Sequence, residues 1–527
     1  MTALTSTVAL TRFIVRRDRV RILVWVAAVV LLVVSTAASV KGLYPTQADL
    51  DEAAAAAQDN AAAIAFNGPA QGLDTVGGEV AFQGGATGLV VVALMSLLMM
   101  GRLTRGEEEA GRLELVRALP VGHQAPTAAA SLVVAGMSVV VGALVTLALL
   151  GQDLPVAGSI AFGVSFTLVG FFFGVVAMLA AQVTENTRVV NGMAGAMLAG
   201  AFVVRAVGDI GDGTASWFSP IGWAQKTRPF AGERWWPFLV LLAATAGLIA
   251  AAGTLATRRD LSGGLVPPRP GRVTASAALG NPLGLAVRLQ RGSLVGWSLG
   301  VLVTAVAYGS IADSIDDFVG DNKAMADIIA RAGGASLTDS YLATSFGILA
   351  LAGTGFAIQA ALRVRTEEAG LRAEPVLAAP VSRRRWAASH LTMAFGGSLI
   401  VLLIAGLATG LSYGIVGGDL TVVPGLLGAA VAYAPAMWLV VGLAFVLVGW
   451  APRATVASWA VLAACFVIGL LGDLLDLPAW VTRLSPFEHV PKAPAADVTV
   501  LPLVVLAAIA AALTRLGLTG LQRRDIG

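Results

Sequence analysis

The densest chemistry in the chain lies in two short charged segments, residues 105–121 (RGEEEAGRLELVRALPV) and 365–381 (RTEEAGLRAEPVLAAPV), which superpose at an offset of 260. Nine of seventeen positions are identical, and five of the nine are charged: Arg105/Arg365, Glu107/Glu367, Glu108/Glu368, Arg112/Arg372 and Glu114/Glu374. A chain in which 13% of residues are charged does not produce that match through composition. Glu107, Glu108 and Glu109 would fall in the first turn of a short helix, where the helix dipole favours anions, and Thr104 with Glu107 has capping-box spacing. Glu108 with Arg112, and Glu368 with Arg372, stand four apart in the order that favours pairing on a helix. Pro120 and Pro380 mark the exits, and Pro375, where the first copy has Leu115, is expected to kink or end the second helix. A lone charge run reads as a solvated loop that sets membrane topology. Glutamates recurring at matched positions change that reading, because acids contribute little to topology, and point to a docking surface for a partner.

The other reactive residues offer less. The four lysines follow Val40, Gln225, Asn322 and Pro491, so the Gly-Lys-Ser/Thr of a phosphate-binding loop is missing and the chain is not expected to hydrolyse ATP itself. His123, His390 and His489 are far apart with no HExxH, and read as ordinary polar residues rather than metal ligands or catalysts. The single cysteine, Cys465, excludes an intrachain disulfide. Arg205 stands one helical turn from Asp209, where a local pair or snorkelling accounts for it.

These residues must be positioned by membrane helices. With 57% hydrophobic residues and a mean hydropathy of +0.80, the 527 residues are an all-α polytopic membrane protein and not a soluble enzyme. Apolar runs predict twelve transmembrane helices, at 20–40, 84–101, 126–150, 157–182, 189–207, 235–256, 293–312, 341–362, 388–414, 425–450, 455–472 and 499–515. Arginines concentrate on one set of connections and acids on the other, which predicts both termini in the cytoplasm. Arginine fills all but four of the 35 basic positions, a usage that suggests a GC-rich coding sequence and a bacterial plasma membrane.

Further matches recur in order: Arg16/Arg288, Arg19/Arg291 and Trp25/Trp297, then Asp209-x-x-Asp212 with Asp473-x-x-Asp476, Ser219-Pro220 with Ser485-Pro486, and Arg258-Arg259-Asp260 with Arg523-Arg524-Asp525. The first of these also argues against a cleavable signal at the start, since an internal copy cannot be one. Two six-helix halves follow, 1–265 and 285–527, joined by a Gly/Pro-rich cytoplasmic linker at 266–284. An even helix number per half makes them parallel repeats. Gly192, Ala196 and Gly200 predict a close-packing face on the fifth helix, and Trp217, Trp223, Trp235 and Trp236 an interfacial belt. The outer segments 44–83 and 313–340 exceed simple connectors, the first with an Ala-rich helical stretch at 53–65.

A span, an E-E-x-G-R-like charged helix ending at proline, and another span, within a six-helix unit, resemble the ABC-2-type exporter permeases. The doubled chain resembles their actinobacterial fused subfamily of polyketide antibiotic (tetronasin-type) and multidrug efflux permeases. That resemblance implies a subunit that exports hydrophobic or amphipathic compounds, driven by a homodimer of a separate ABC ATP-binding subunit. ATP and Mg would bind that partner, with no cofactor in this chain and no nucleic acid. It also implies coupling helices carrying Arg105, Glu107, Glu108, Arg112, Glu114, Arg365, Glu367, Glu368, Arg372 and Glu374. The second, fifth, eighth and eleventh helices would line a substrate path with Met95, Met99, Met197, Phe202, Phe346, Phe356, Trp459 and Phe466. The alternative is a twelve-helix secondary transporter driven by an ion gradient, which would need an ionisable group at membrane depth; the near absence of charge within the predicted spans argues against it.

Overall fold

The computed structural model describes residues 2–58, 60–256, 263–266, 273–312, 336–471 and 477–525. The Asp473-x-x-Asp476 and Arg258-Arg259-Asp260 motifs and most of the outer segment 313–340 therefore lie outside the described residues. Among the described residues eleven helices are long and apolar enough to cross a membrane, and a further apolar helix has 15 residues. The chain divides into two compact units, 1–271 and 272–527.

In the first unit the long helices are α1 (Thr7–Leu43), α2 (Val76–Leu103), α3 (Ala125–Leu150), α4 (Val156–Val183), α5 (Thr187–Ile210) and α6 (Pro237–Ala256). The second unit holds α7 (Pro282–Ala312), α8 (Leu337–Ala361), α9 (Arg383–Val416), α10 (Val423–Val431 and Ala434–Trp450), α11 (Ala457–Leu471) and α12 (Val500–Arg523). Polar residues and prolines set the starts. The side chains of Thr75, Asn186, Ser336 and Ser382 accept backbone N–H groups that would otherwise be unpaired, while Pro237 and Pro282 open α6 and α7. The α10 break falls at Ala432–Tyr433, because Pro435 has no N–H to give the carbonyl of Val431.

Several helices run beyond the apolar stretches that predicted them. α1 begins at Thr7 and carries Asp18 with the arginines around it, and α2 begins at Val76 and buries Glu79. Both groups lie in helix outside the predicted spans 20–40 and 84–101, because hydropathy registers the hydrocarbon-length stretch whereas backbone hydrogen bonding continues past it.

Small side chains set the packing within each unit. A Cβ on Gly142 of α3 would come 2.4 Å from the carbonyl oxygen of Gly163 of α4, and the reverse holds at the same distance, so the two backbones touch. Ser96 and Ser138 share a hydrogen bond of 3.3 Å at the buried contact between α2 and α3. In the second unit Gly449 and Gly517 bring α10 and α12 together in the same way. Among the described residues of its own unit, Gly192 and Gly200 of α5 meet nothing within 4 Å, and α5 packs there through Val190, Ala194, Leu198 and Ala201 on another face. Gly142→Leu overpacks a backbone contact at a cost of about 1–3 kcal/mol. Thermal unfolding of the solubilised chain should move down for Gly142→Leu and stay put for Gly136→Leu, whose added Cβ would meet nothing within 4 Å.

Candidate functional site

Each charged segment folds as two short helical pieces rather than one: Arg105–Glu109 then Arg112–Arg117 in the first unit, Arg363–Ala369 then Ala373–Leu377 in the second. The interruption has one backbone signature in both, a left-handed residue at Gly111 (φ +68°) and at Leu371 (φ +56°), 260 positions apart. It changes the expected pairing. Arg112 donates to Glu107, at 2.7 and 3.1 Å, and Arg372 to Glu367 at 2.9 Å, so the pairs span five residues and replace the i,i+4 pairs read from the sequence. Glu108 and Glu368 turn back to Arg105 and Arg365. The predicted capping box is also absent: the Thr104 hydroxyl donates to Met100 O at 2.7 Å, serving the end of α2. Pro375 neither kinks nor ends a helix, since it sits in the first turn of the second piece where no N–H is needed.

In the first unit the segment is fastened from three sides. Arg105, 1% exposed, donates from Nε to Ala181 O at the end of α4 (2.6 Å) and from Nη2 to Gly263 O (2.9 Å). Glu109 accepts the Thr187 N–H (2.7 Å) and hydroxyl (2.9 Å) at the N-terminus of α5, where helix dipole and charge agree. Arg17 of α1 joins Arg112 on Glu107 at 3.1 Å. Those hydrogen bonds hold the Arg112 guanidinium above its ordinary pKa.

Beside them Asp18, 4% exposed, receives Arg17 (2.8 Å), Arg21 (2.8 Å) and Arg102 (2.6 Å). Three cations on one carboxylate satisfy most of its acceptor sites and offset its desolvation.

The second unit keeps the two glutamate closures and rebuilds the surroundings. Glu367 takes Arg363 at 2.5 Å in place of a partner from the unit's first long helix, and Glu368 takes Arg524 at 2.5 Å. The positions matching Asp18 and Arg102 are Gln290 and Leu362. Gln290 Nε2 lies 3.0 Å from Nδ1 of His390, and both side chains are buried. A neutral pair thus replaces an ionic hub.

Comparison with known proteins follows this geometry. A family profile described as "Multidrug efflux system permease Rv1217c, C-terminal domain" matches residues 279–522. The chain is 41% identical over 525 residues to the multidrug efflux system permease protein Rv1217c of Mycobacterium tuberculosis (strain ATCC 25618 / H37Rv), covering 99% of this chain and 95% of that protein. The chain belongs to this family of multidrug efflux system permeases.

The permease places the remaining sequence-predicted residues as follows. Met95, Met99, Phe346 and Phe356 are buried within the packing of their own units, whereas Met197, Trp459 and Phe466 are exposed and Phe202 is half-buried. Phe202 lies under the Arg205 guanidinium at 4.4 Å. Arg205, fully buried, pairs with Asp209 at 3.4 Å and donates to Ala65 O and Phe66 O at 2.7 and 3.1 Å. It therefore ties the short helix Ala61–Asn67 to α5. Among the four expected belt residues, Trp217 stacks on Trp236 at 5.1 Å and accepts the indole N–H of Trp223 on its carbonyl at 2.5 Å. Sequence reasoning passed over Asp18, Arg102 and Glu79, and read His390 as an ordinary polar residue without its buried partner Gln290. One signal for Asp18 was available, since it is the only acid in the first 48 residues and stands inside an arginine run.

Asp18→Leu should lower thermal stability by about 1–3 kcal/mol, the smaller end reflecting the partly exposed arginines it would leave unpaired. Gln290→Leu, which removes a neutral hydrogen bond, should lower it by about 1 kcal/mol. Melting curves of the two solubilised variants against the parent check the order.

Proposed function

We propose that this permease is the transmembrane subunit of an ABC exporter of the ABC-2 type, moving hydrophobic or amphipathic compounds outward under the drive of a separate ATP-binding subunit that acts as a homodimer. ATP and Mg bind that partner; this chain supplies the path and the two docking segments. The arginine-rich connections lie in the cytoplasm in this reading, with both termini. The observation that carries it is the matched folding of the two charged segments. Their inward charges, Arg105, Glu107, Glu108 and Glu367, Glu368, are consumed in holding the shape. Their outer surfaces, Glu114, Leu115 and Leu119 in one and Leu371 and Glu374 in the other, stay exposed. Leu115 is 73% exposed, and an apolar residue so placed beside an acid suits a protein partner better than water. That the relative is called part of an efflux system also supports a second component. ATP-driven closure of the paired subunits would press on both segments and, in the first unit, through Arg105 on the end of α4 and through Glu109 on the start of α5.

One observation favours the ion-driven alternative. Glu79 is buried in the first turn of α2, with Oε1 accepting from Gln83 at 2.7 Å and Oε2 unpartnered. The two readings separate cleanly. Alone, the purified chain is expected to hydrolyse no ATP, and with the cognate ATP-binding subunit it should form a complex whose hydrolysis rises with transported compound. Glu114→Lys with Glu374→Lys should abolish most of that stimulation without changing the melting temperature, while Glu79→Gln should leave it intact. Transport in vesicles under a proton gradient with no ATP-binding subunit, lost in Glu79→Gln, would overturn the ABC reading.

A further inference from the structure

A cavity of about 950 Å³ opens within the first unit between the start of α1, the first turns of α3, the last three turns of α4 and the end of α6. Val8, Leu132, Phe171, Gln182, Ile249 and Gly253 mark its walls. Its rim is held by backbone hydrogen bonds from Gly122 N to Thr5 O and from Gln124 N to Ala3 O, both 3.1 Å. The volume is that of a site for a drug-sized molecule. No lysine, arginine, aspartate or glutamate lines it among the described residues, so it selects neither a strong anion nor a strong cation.

Two details argue that the space is built to be filled. Gln182 is 3% exposed; its Nε2 donates to Met178 O at 2.9 Å and its Oε1 has no partner among the described residues, so an unpaired acceptor sits at the cavity wall. The corresponding pair of helices in the second unit is closed. There a Cβ on Gly449 would come 2.3 Å from Gly517 O and one on Gly517 2.6 Å from the Phe445 backbone, whereas a Cβ on Gly253 of α6 would meet nothing within 4 Å. The second unit thus packs this helix pair backbone to backbone at Gly449 and Gly517, whereas in the first unit the end of α6 leaves open space at Gly253 beside an apolar wall.

We propose that this cavity binds an amphipathic molecule whose hydroxyl or amine donates to Gln182 Oε1 while its apolar part lies along Leu132, Phe171 and Ile249. Such a molecule is supplied either by the transported compounds or by bilayer lipids. The proposal rests on the efflux reading for the first source only.

Binding is measured on the full chain in nanodiscs of phosphatidylcholine, whose headgroup has no donor. The probes are rhodamine 6G, followed by fluorescence anisotropy, and a photoactivatable phosphatidylethanolamine, followed by mapping of its cross-links. Ala128→Trp and Gly253→Trp, from facing walls, should each weaken saturable binding of at least one probe about tenfold, and Gln182→Leu about threefold, for the loss of one hydrogen bond. Gly247→Trp, on α6 but outside the cavity, should leave it unchanged. Sensitivity of rhodamine 6G names the transported compounds as the source, and sensitivity of the lipid probe alone names the bilayer. Saturable binding that ignores both tryptophans, or none for either probe, overturns the proposal. Should the variants behave as expected while cells containing the ATP-binding subunit export nothing, the efflux reading fails and the cavity stands.

Discussion

Charges at the edge of an apolar slab must find partners within the protein, and in this permease that requirement is met by guanidinium groups reaching backward along the chain. Arg105 is the clearest instance. Burying it would cost several kcal/mol if it were left unpaired, and it is bonded to two carbonyls far apart in sequence and to Glu108. Because those carbonyls belong to the end of α4 and to the stretch after α6, the charged segment cannot shift without disturbing both. The left-handed residue at Gly111 follows from the same constraint: it turns the chain so that Arg112 folds back onto Glu107. The segment is therefore a rigid knob seated on the helix ends rather than a tethered loop.

The two halves satisfy the constraint by different chemistry. The glutamate closures and the left-handed break are common to both, even though the residue at the break is glycine in one and leucine in the other. Around them, an ionic hub on Asp18 is exchanged for Gln290 and His390, and a partner from α1 for Arg363 of the segment's own first piece. The helices show the same divergence, with glycines closing α10 on α12 while the end of α6 leaves a cavity open beside Gly253. Two units carried on one chain can differ in this way, as a dimer of identical chains cannot.

Much of this was legible beforehand. Hydrophobic runs of bilayer length located the helices, and the recurrence of Arg105, Glu107, Glu108, Arg112 and Glu114 marked the segment that the structure builds most carefully. What escaped has a physical explanation. Helical spacing rules assume an unbroken helix, so a single left-handed residue moved the Arg112 and Arg372 partners by one position. Hydropathy senses apolar length and not hydrogen bonding, so Asp18 and Glu79 fell outside the predicted helices although both lie within α1 and α2. The Gly192/Ala196/Gly200 pattern permits a close approach without demanding one. Nothing in the sequence announced the buried acceptor on Gln182, which depends on where four helix ends converge.

The central claim is that the exposed tips of the two charged segments meet an ATP-binding subunit. It is tested most directly by site-specific cross-linking from Leu115→Cys and Leu371→Cys, in a chain whose Cys465 is replaced by alanine, to that subunit in the assembled membrane complex. The account predicts that each position yields its own adduct, that the double variant captures two copies of the subunit on one chain, and that a cysteine on the exposed apolar face of α3 at Leu132 yields none. Equal labelling from all three positions, or none from the segments in a complex that still exports, would contradict it.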